Sequence, residues 1–248
     1  MSPARRPPRP IMILGLWLFG ILLVVALTLA ARNGLADLYA EPAKNFLQDR
    51  RDAGATLTET EWQAIHANLR RALSFAPHNP ITLTELGRLH RIQLESDTLS
   101  DTEIDRHGNL AADYYEQAAV LRPAWPWGWS SLALVRYELY QDTSDAYHQA
   151  LIHATHFGPW EGQVQRLVVE LGLDTWASLS PGAKQAVLGT VDRALKRQPA
   201  GLNAIVDSEQ AWQTLCQAGT RAAAVQPGGG RADGLSRLQR HCAELALN

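Results

Sequence analysis

The chain reads as all-α: an N-terminal transmembrane helix followed by an α-solenoid of helical hairpins. Three observations carry this reading. Residues 11–31 (IMILGLWLFGILLVVALTLAA) run without a charge, and about 20 such residues at 1.5 Å rise cross a bilayer core. Beyond Arg32, apolar residues recur at steps of three and four, with no alternating run and no Asn-Gly hairpin signal. Ala, four residues, Pro recurs four times, at Ala72–Pro77, Ala118–Pro123, Ala154–Pro159 and Ala194–Pro199. The expected partition is a cytoplasmic tail (1–10), a membrane helix (11–31), a connecting helix (32–57), a helical-repeat domain (58–219), and a Gly-rich loop with a C-terminal helix (220–248).

The tail holds Pro3, Pro7, Pro8 and Pro10 and is too short to fold. Its Arg5, Arg6 and Arg9 precede the apolar run. Cytoplasmic flanks collect Arg and Lys, so the expected topology is single-pass in a bacterial inner membrane, N-terminus cytoplasmic and C-terminal domain periplasmic. A cleaved signal peptide is the rival reading, with small residues at Ala26, Ala30 and Ala31. The apolar run exceeds the usual signal core of about 7–15 residues, which favours an anchor.

Leu35–Asp52 is amphipathic and continues or follows the membrane helix. Thr58-Glu-Thr-Glu61 supplies an N-cap for a run whose Trp62, Ile65, Leu69, Ala72 and Leu73 share one face. The four repeat prolines then stand 46, 36 and 40 residues apart. Hairpin solenoids have a period near 34 residues, so each interval is one unit plus an insertion. Glu95–Gly108 (ESDTLSDTEIDRHG) reads as the largest insertion, a polar loop.

The second unit carries the clearest pattern. Leu83-x-x-Leu86-Gly87-x-x-His90 is followed by Ala111, Tyr115, Ala118 and Pro123, which follows the tetratricopeptide (TPR) layout of small residues, an aromatic and a terminal proline. Gly87 and Ala111 let two helix backbones approach, Tyr115 fills the space beside the crossing, and Pro123 forces a turn. The third unit, Trp129-x-x-Leu132-Ala133 with Tyr147, Leu151, Ala154 and Pro159, is looser. The first keeps only its second helix. The fourth keeps Val187, Val191, Ala194 and Pro199, with Ser180-Pro181 as its helix start. A last pair of helices is expected at 208–218 and 235–246.

Composition excludes one class of partner. Asp and Glu number 25 against 23 Lys and Arg, and three of those arginines lie in the tail. What remains is mildly acidic, which argues against nucleic acid. No G-x-S-x-G, phosphate-binding loop or dinucleotide motif is present, and Gly228–Gly230 follows no strand. No catalytic residue or cofactor site is expected, and the chain is read as a non-enzyme. No metal site is expected: His148, His153 and His156 lack the i, i+4 pair of helical zinc sites, and Asp101, Glu103 and Asp105 lack the glycine and downstream glutamate of a calcium loop. Trp125, Trp127 and Trp129 are the candidate partner or glycan contact, since indole rings stack on sugar faces. The competing reading packs them into the helix crossing, as with Trp160, Trp176 and Trp212. Cys216 and Cys242 are the candidate disulfide in an oxidising compartment; as buried thiols they would act as small hydrophobes. Both readings stand at this point.

The stretch Ala111–Leu134, above all Arg122-Pro123 and Trp125-Pro126-x-Gly128-Trp129, resembles the VpsP family of exopolysaccharide-biosynthesis proteins. The resemblance implies a membrane-anchored periplasmic helical protein that helps make or export a surface polysaccharide, with protein partners in a synthesis or export complex. It carries over no catalytic residue. Two alternatives accompany it: a generic envelope scaffold of the cytochrome-maturation or division type, and a module that binds glycan directly.

Overall fold

The computed structural model describes residues 9–54, 56–197, 199–206, 209–225 and 235–245. Among them every regular element is helical and no strand forms. The helices are α1 (Arg9–Asp52), α2 (Glu59–Phe75), α3 (Pro80–Arg91), α4 (Asp101–Leu121), α5 (Pro126–Glu138), α6 (Asp145–Phe157), α7 (Gly162–Asp174), α8 (Pro181–Arg197), α9 (Pro199–Val206), α10 (Glu209–Val225) and α11 (Ser236–Leu245). The tail residues Arg5 and Arg6, Ser208 and the loop Pro227–Gly234 lie outside the described residues. The chain divides into two compact units, Met1–Glu85 and Leu86–Asn248, with the division inside α3.

In the first unit, the apolar run and the connecting segment are one helix. From Met12 through Leu29 the large apolar side chains of α1 stand exposed, Trp17 at 70% and Leu16 at 67%. This stretch is long and apolar enough to cross a membrane. From Ala36 onward the same helix buries Ala36, Ala40, Ala43 and Leu47, a stripe at steps of four and three. That stripe packs on α2, which buries Ile65, Leu69 and Ala72. Alanines dominate the seam on α1, so the two backbones can lie close. The turn between them is fixed by a capping box: Glu61 N donates to Thr58 Oγ1 (3.3 Å), and Thr58 N donates to Glu61 Oε2 (2.9 Å). Arg50 reaches back to the same Glu61 carboxylate. Asn79 Oδ1 accepts from the amides of Ile81 and Thr82, which starts α3.

In the second unit, one core is built by α4 to α8 around Ala111, Tyr115, Leu132, Tyr147, Leu151, Val168 and Val187. A second joins α7 to α11 around Val169, Val191, Leu202, Leu215 and Leu238. α7 and α8 therefore present apolar faces to both. Consecutive helices pack, and so do helices two apart, α5 on α7 and α6 on α8. The close approaches occur at glycine. A Cβ at Gly87 would sit 2.9 Å from the Tyr115 ring, and one at Gly172 would sit 2.4 Å from Val187 Cγ2.

One expectation fails. Glu95–Gly108 is not a polar loop: a 3-10 turn covers Ile92–Glu95, and α4 has begun by Asp101. Ser100 and Glu103 form a second capping box, so the polar residues open a helix. At the other end α10 runs on to Val225, past the expected boundary at 219.

Candidate functional site

The tryptophan cluster opens α5. Trp125 occupies the N-cap position and Pro126 the first turn, where its missing N–H costs nothing. Successive helical residues rotate by about 100°, so residues two apart point to opposite sides and three such indoles cannot share one platform. Trp127 packs against the α4–α8 core. Trp129 donates its Nε1–H to the Pro123 carbonyl (2.8 Å), and its ring lies 4.4 Å from that of His153. Both side chains thus shape the α4–α5 corner and its seat on α6. Trp125 is left half-buried, with the Arg122 guanidinium 4.8 Å over its ring.

The histidines of α6 have separate fates. His148 is buried. Burial, with a smaller effect of neighbouring His156, pushes the His153 pKa down. Among the described residues no group of three His, Cys, Asp or Glu is arranged to hold a metal ion. Glu103 belongs to the capping box, where hydrogen bonds from the Ser100 hydroxyl and amide hold its pKa low. Cys216 on α10 and Cys242 on α11 are joined as a disulfide, Cα to Cα 5.7 Å.

A concave surface lies elsewhere. A cleft of about 580 Å³ runs between α7, α9 and α10 and is lined by Glu170, Asp174, Trp176, Ile205, Ala211 and Thr214. Glu170 and Asp174 stand four apart on α7 and share a face. Lys184 Nζ sits 5.8 Å from the centre of the Trp176 ring. The Tyr137 hydroxyl, from α5, donates to Asp174 Oδ2, and this bond is the main reason its pKa is raised.

Tyr140 stands near Tyr137, and its backbone is unusual. α5 ends with Gln141 N bonded to the Arg136 carbonyl (2.9 Å), which leaves Tyr140 in the left-handed region at φ 55°. Glycine is the usual residue there. Here a tyrosine is 92% exposed at that position. Arg136 Nη1 donates to Gln141 Oε1 (2.7 Å), and Ser178 Oγ donates to Asp142 Oδ2 (2.6 Å), so the segment is tied on both sides of Tyr140.

Carboxylates beside aromatic rings in a half-open cleft can take a cation, by ion pairing and by contact with the ring faces. The sequence reading missed this surface. Its lining residues come from three helices between Glu170 and Thr214, brought together by packing of whole helices.

No family model matches the chain, and no curated protein matches it.

Proposed function

We propose that this protein is a membrane-anchored adaptor of TPR-like helical hairpins that acts in exopolysaccharide biosynthesis or export by binding protein partners. The observation that carries the reading is the continuity of α1: its exposed apolar half and its packed half form one uninterrupted helix. Such a helix holds a folded unit directly at a membrane surface, which raises its effective concentration toward membrane partners. The hairpin reading is supported by the packing of helices two apart, α5 on α7 and α6 on α8, which is how stacked hairpins bury a common face. The polysaccharide role rests on the VpsP-like segment Ala111–Leu134, whose Arg122-Pro123 and Trp125–Trp129 build the α4–α5 corner.

Protein contact is favoured over a glycan platform because Trp127 and Trp129 are used in packing. The acidic and aromatic cleft at Glu170, Asp174 and Trp176 suits an Arg- or Lys-bearing segment of a partner. The inner membrane, an N-terminus inside and a periplasmic domain belong to the same proposal. A clean deletion strain, with and without the intact chain restored, tests it. Surface polymer should fall on deletion and return on complementation. Unchanged polymer with a respiratory or septation defect would favour the envelope-scaffold reading instead.

A further inference from the structure

The membrane-side end of the first unit carries a groove that the adaptor reading leaves unused. It encloses about 430 Å³ between α1 and the turn from α2 to α3, and is lined by Leu29, Arg32, Asn33, Phe75, His78 and Asn79 among others. Among the described residues no carboxylate lines it. Its depth relative to a bilayer follows from the chain. Arg32 is the first charged residue after the apolar run 11–31. With that run in the hydrocarbon, Arg32 stands at the level of the lipid headgroups, whichever way the helix points.

An arginine at such a boundary ordinarily reaches freely toward water. This one is pinned: its Nε donates to the Phe75 carbonyl at 3.1 Å. That carbonyl is in the last turn of α2, where helix carbonyls lack intrahelical partners. The Phe75 ring is itself stacked on Tyr39 (5.9 Å), and the Arg71 guanidinium lies 5.2 Å over Tyr39. With Nε engaged, the two terminal nitrogens of Arg32 have no protein partner among the described residues. A planar guanidinium held by one edge presents its remaining donors as a fork that matches two oxygens of a phosphate. The α3 amides of Ile81 and Thr82 are already taken by Asn79, so the attraction comes from the guanidinium. Leu29, 55% exposed on the membrane side of Arg32, faces where acyl chains would run.

We propose that this groove seats the phosphate of an anionic phospholipid headgroup, with Arg32 as its two-pronged donor. The proposal rests on α1 being retained as a membrane helix. The test uses the full chain reconstituted into phosphatidylcholine vesicles that contain phosphatidylglycerol with a photoreactive headgroup. Flotation reports insertion, and mass spectrometry maps the labelled peptides. Label should concentrate on residues 29–33 and 75–80. Arg32→Gln should reduce it there by about tenfold, the loss of a charge-assisted hydrogen-bond pair, while Arg32→Lys keeps an intermediate yield. Asn33→Ala, with helicity checked by circular dichroism, is the second variant and should lower the yield less. Excess inorganic phosphate should leave the yield unchanged; its abolition of labelling would assign the groove to free phosphate and overturn the lipid. A chain that floats but labels equally in wild type and Arg32→Gln overturns the proposal alone. A chain that does not float overturns the anchor with it.

Discussion

Two buried polar residues hold this fold together in different ways. Tyr147 is fully buried, and its hydroxyl meets Thr175 Oγ1 at 2.9 Å and the Leu171 carbonyl at 3.3 Å. Burial pushes its pKa up to about 12. The folded value lies above the unfolded one near 10, so its stabilisation is complete below about pH 10 and is lost as the pH rises from there to about 12. Alkaline unfolding followed by circular dichroism should therefore shift in Tyr147→Phe, which also loses about 1 kcal/mol at neutral pH. Asp192 on α8 accepts the amides of Arg237 (2.7 Å) and Leu238 (2.9 Å), and so caps α11 from another helix. Asp192→Ala strands both amides and should cost about 1–3 kcal/mol in denaturant melts, whereas Asp192→Asn keeps an acceptor and loses less. Neither role is legible in the sequence: an aspartate 45 positions from its partners gives no local sign.

At the scale of the helix, starts were the most readable feature because their chemistry is local. Thr58-x-x-Glu61 and Ser180-Pro181 both mark true beginnings. Ser100-x-x-Glu103 carries the same signature inside a polar run, where polarity by itself reads as a loop. α5 was hard to read for the opposite reason. It packs on α4, α6 and α7 and buries Leu132, Ala133 and Val135 together, so no single stripe stands out. The capping boxes set an acid limit. Glu61 and Glu103 both have lowered pKa values, chiefly through hydrogen bonds from Thr58 and Ser100. Their contribution is present above the unfolded value near 4.5 and is lost as the pH falls through the folded values. Helicity of the chain in detergent should begin to fall below about pH 4.5, and Glu61→Gln with Glu103→Gln should flatten that limb. Gly172→Ala tests helix spacing: a methyl 2.4 Å from stiff Val187 forces α7 and α8 apart, at a cost of about 1–3 kcal/mol in the same melts.

For the whole molecule, the all-helical class and the long apolar helix were readable because both rest on periodicity and length. The cleft at Glu170 and Asp174 was not, since it exists only once α7, α9 and α10 are placed. The disulfide between α10 and α11 ties the end of the chain across 26 positions. Closing a loop of that size is worth about 3 kcal/mol in the chain-entropy account. Protein made in a reducing cytosol, or Cys216→Ser with Cys242→Ser, should melt lower by that amount. Protease should then cut first near the C-terminus, because α11 is left held by non-covalent contacts alone: the Asp192 cap, the Leu238 packing and the His241 ring against Trp212.

Set in a bilayer as proposed above, α1 would act as a lever. From Arg32 to Asp52 the helix extends about 30 Å at 1.5 Å per residue. A thinner or thicker bilayer would change the tilt of its apolar half. Pro42 lies inside the arm and has no N–H to bond back along the helix, so it is the joint at which that tilt is passed on or absorbed. Each ten degrees passed through Pro42 would sweep the Asp52 end by about 5 Å and carry the α1–α2 seam with it, so lipid composition would be written into the position of a folded surface.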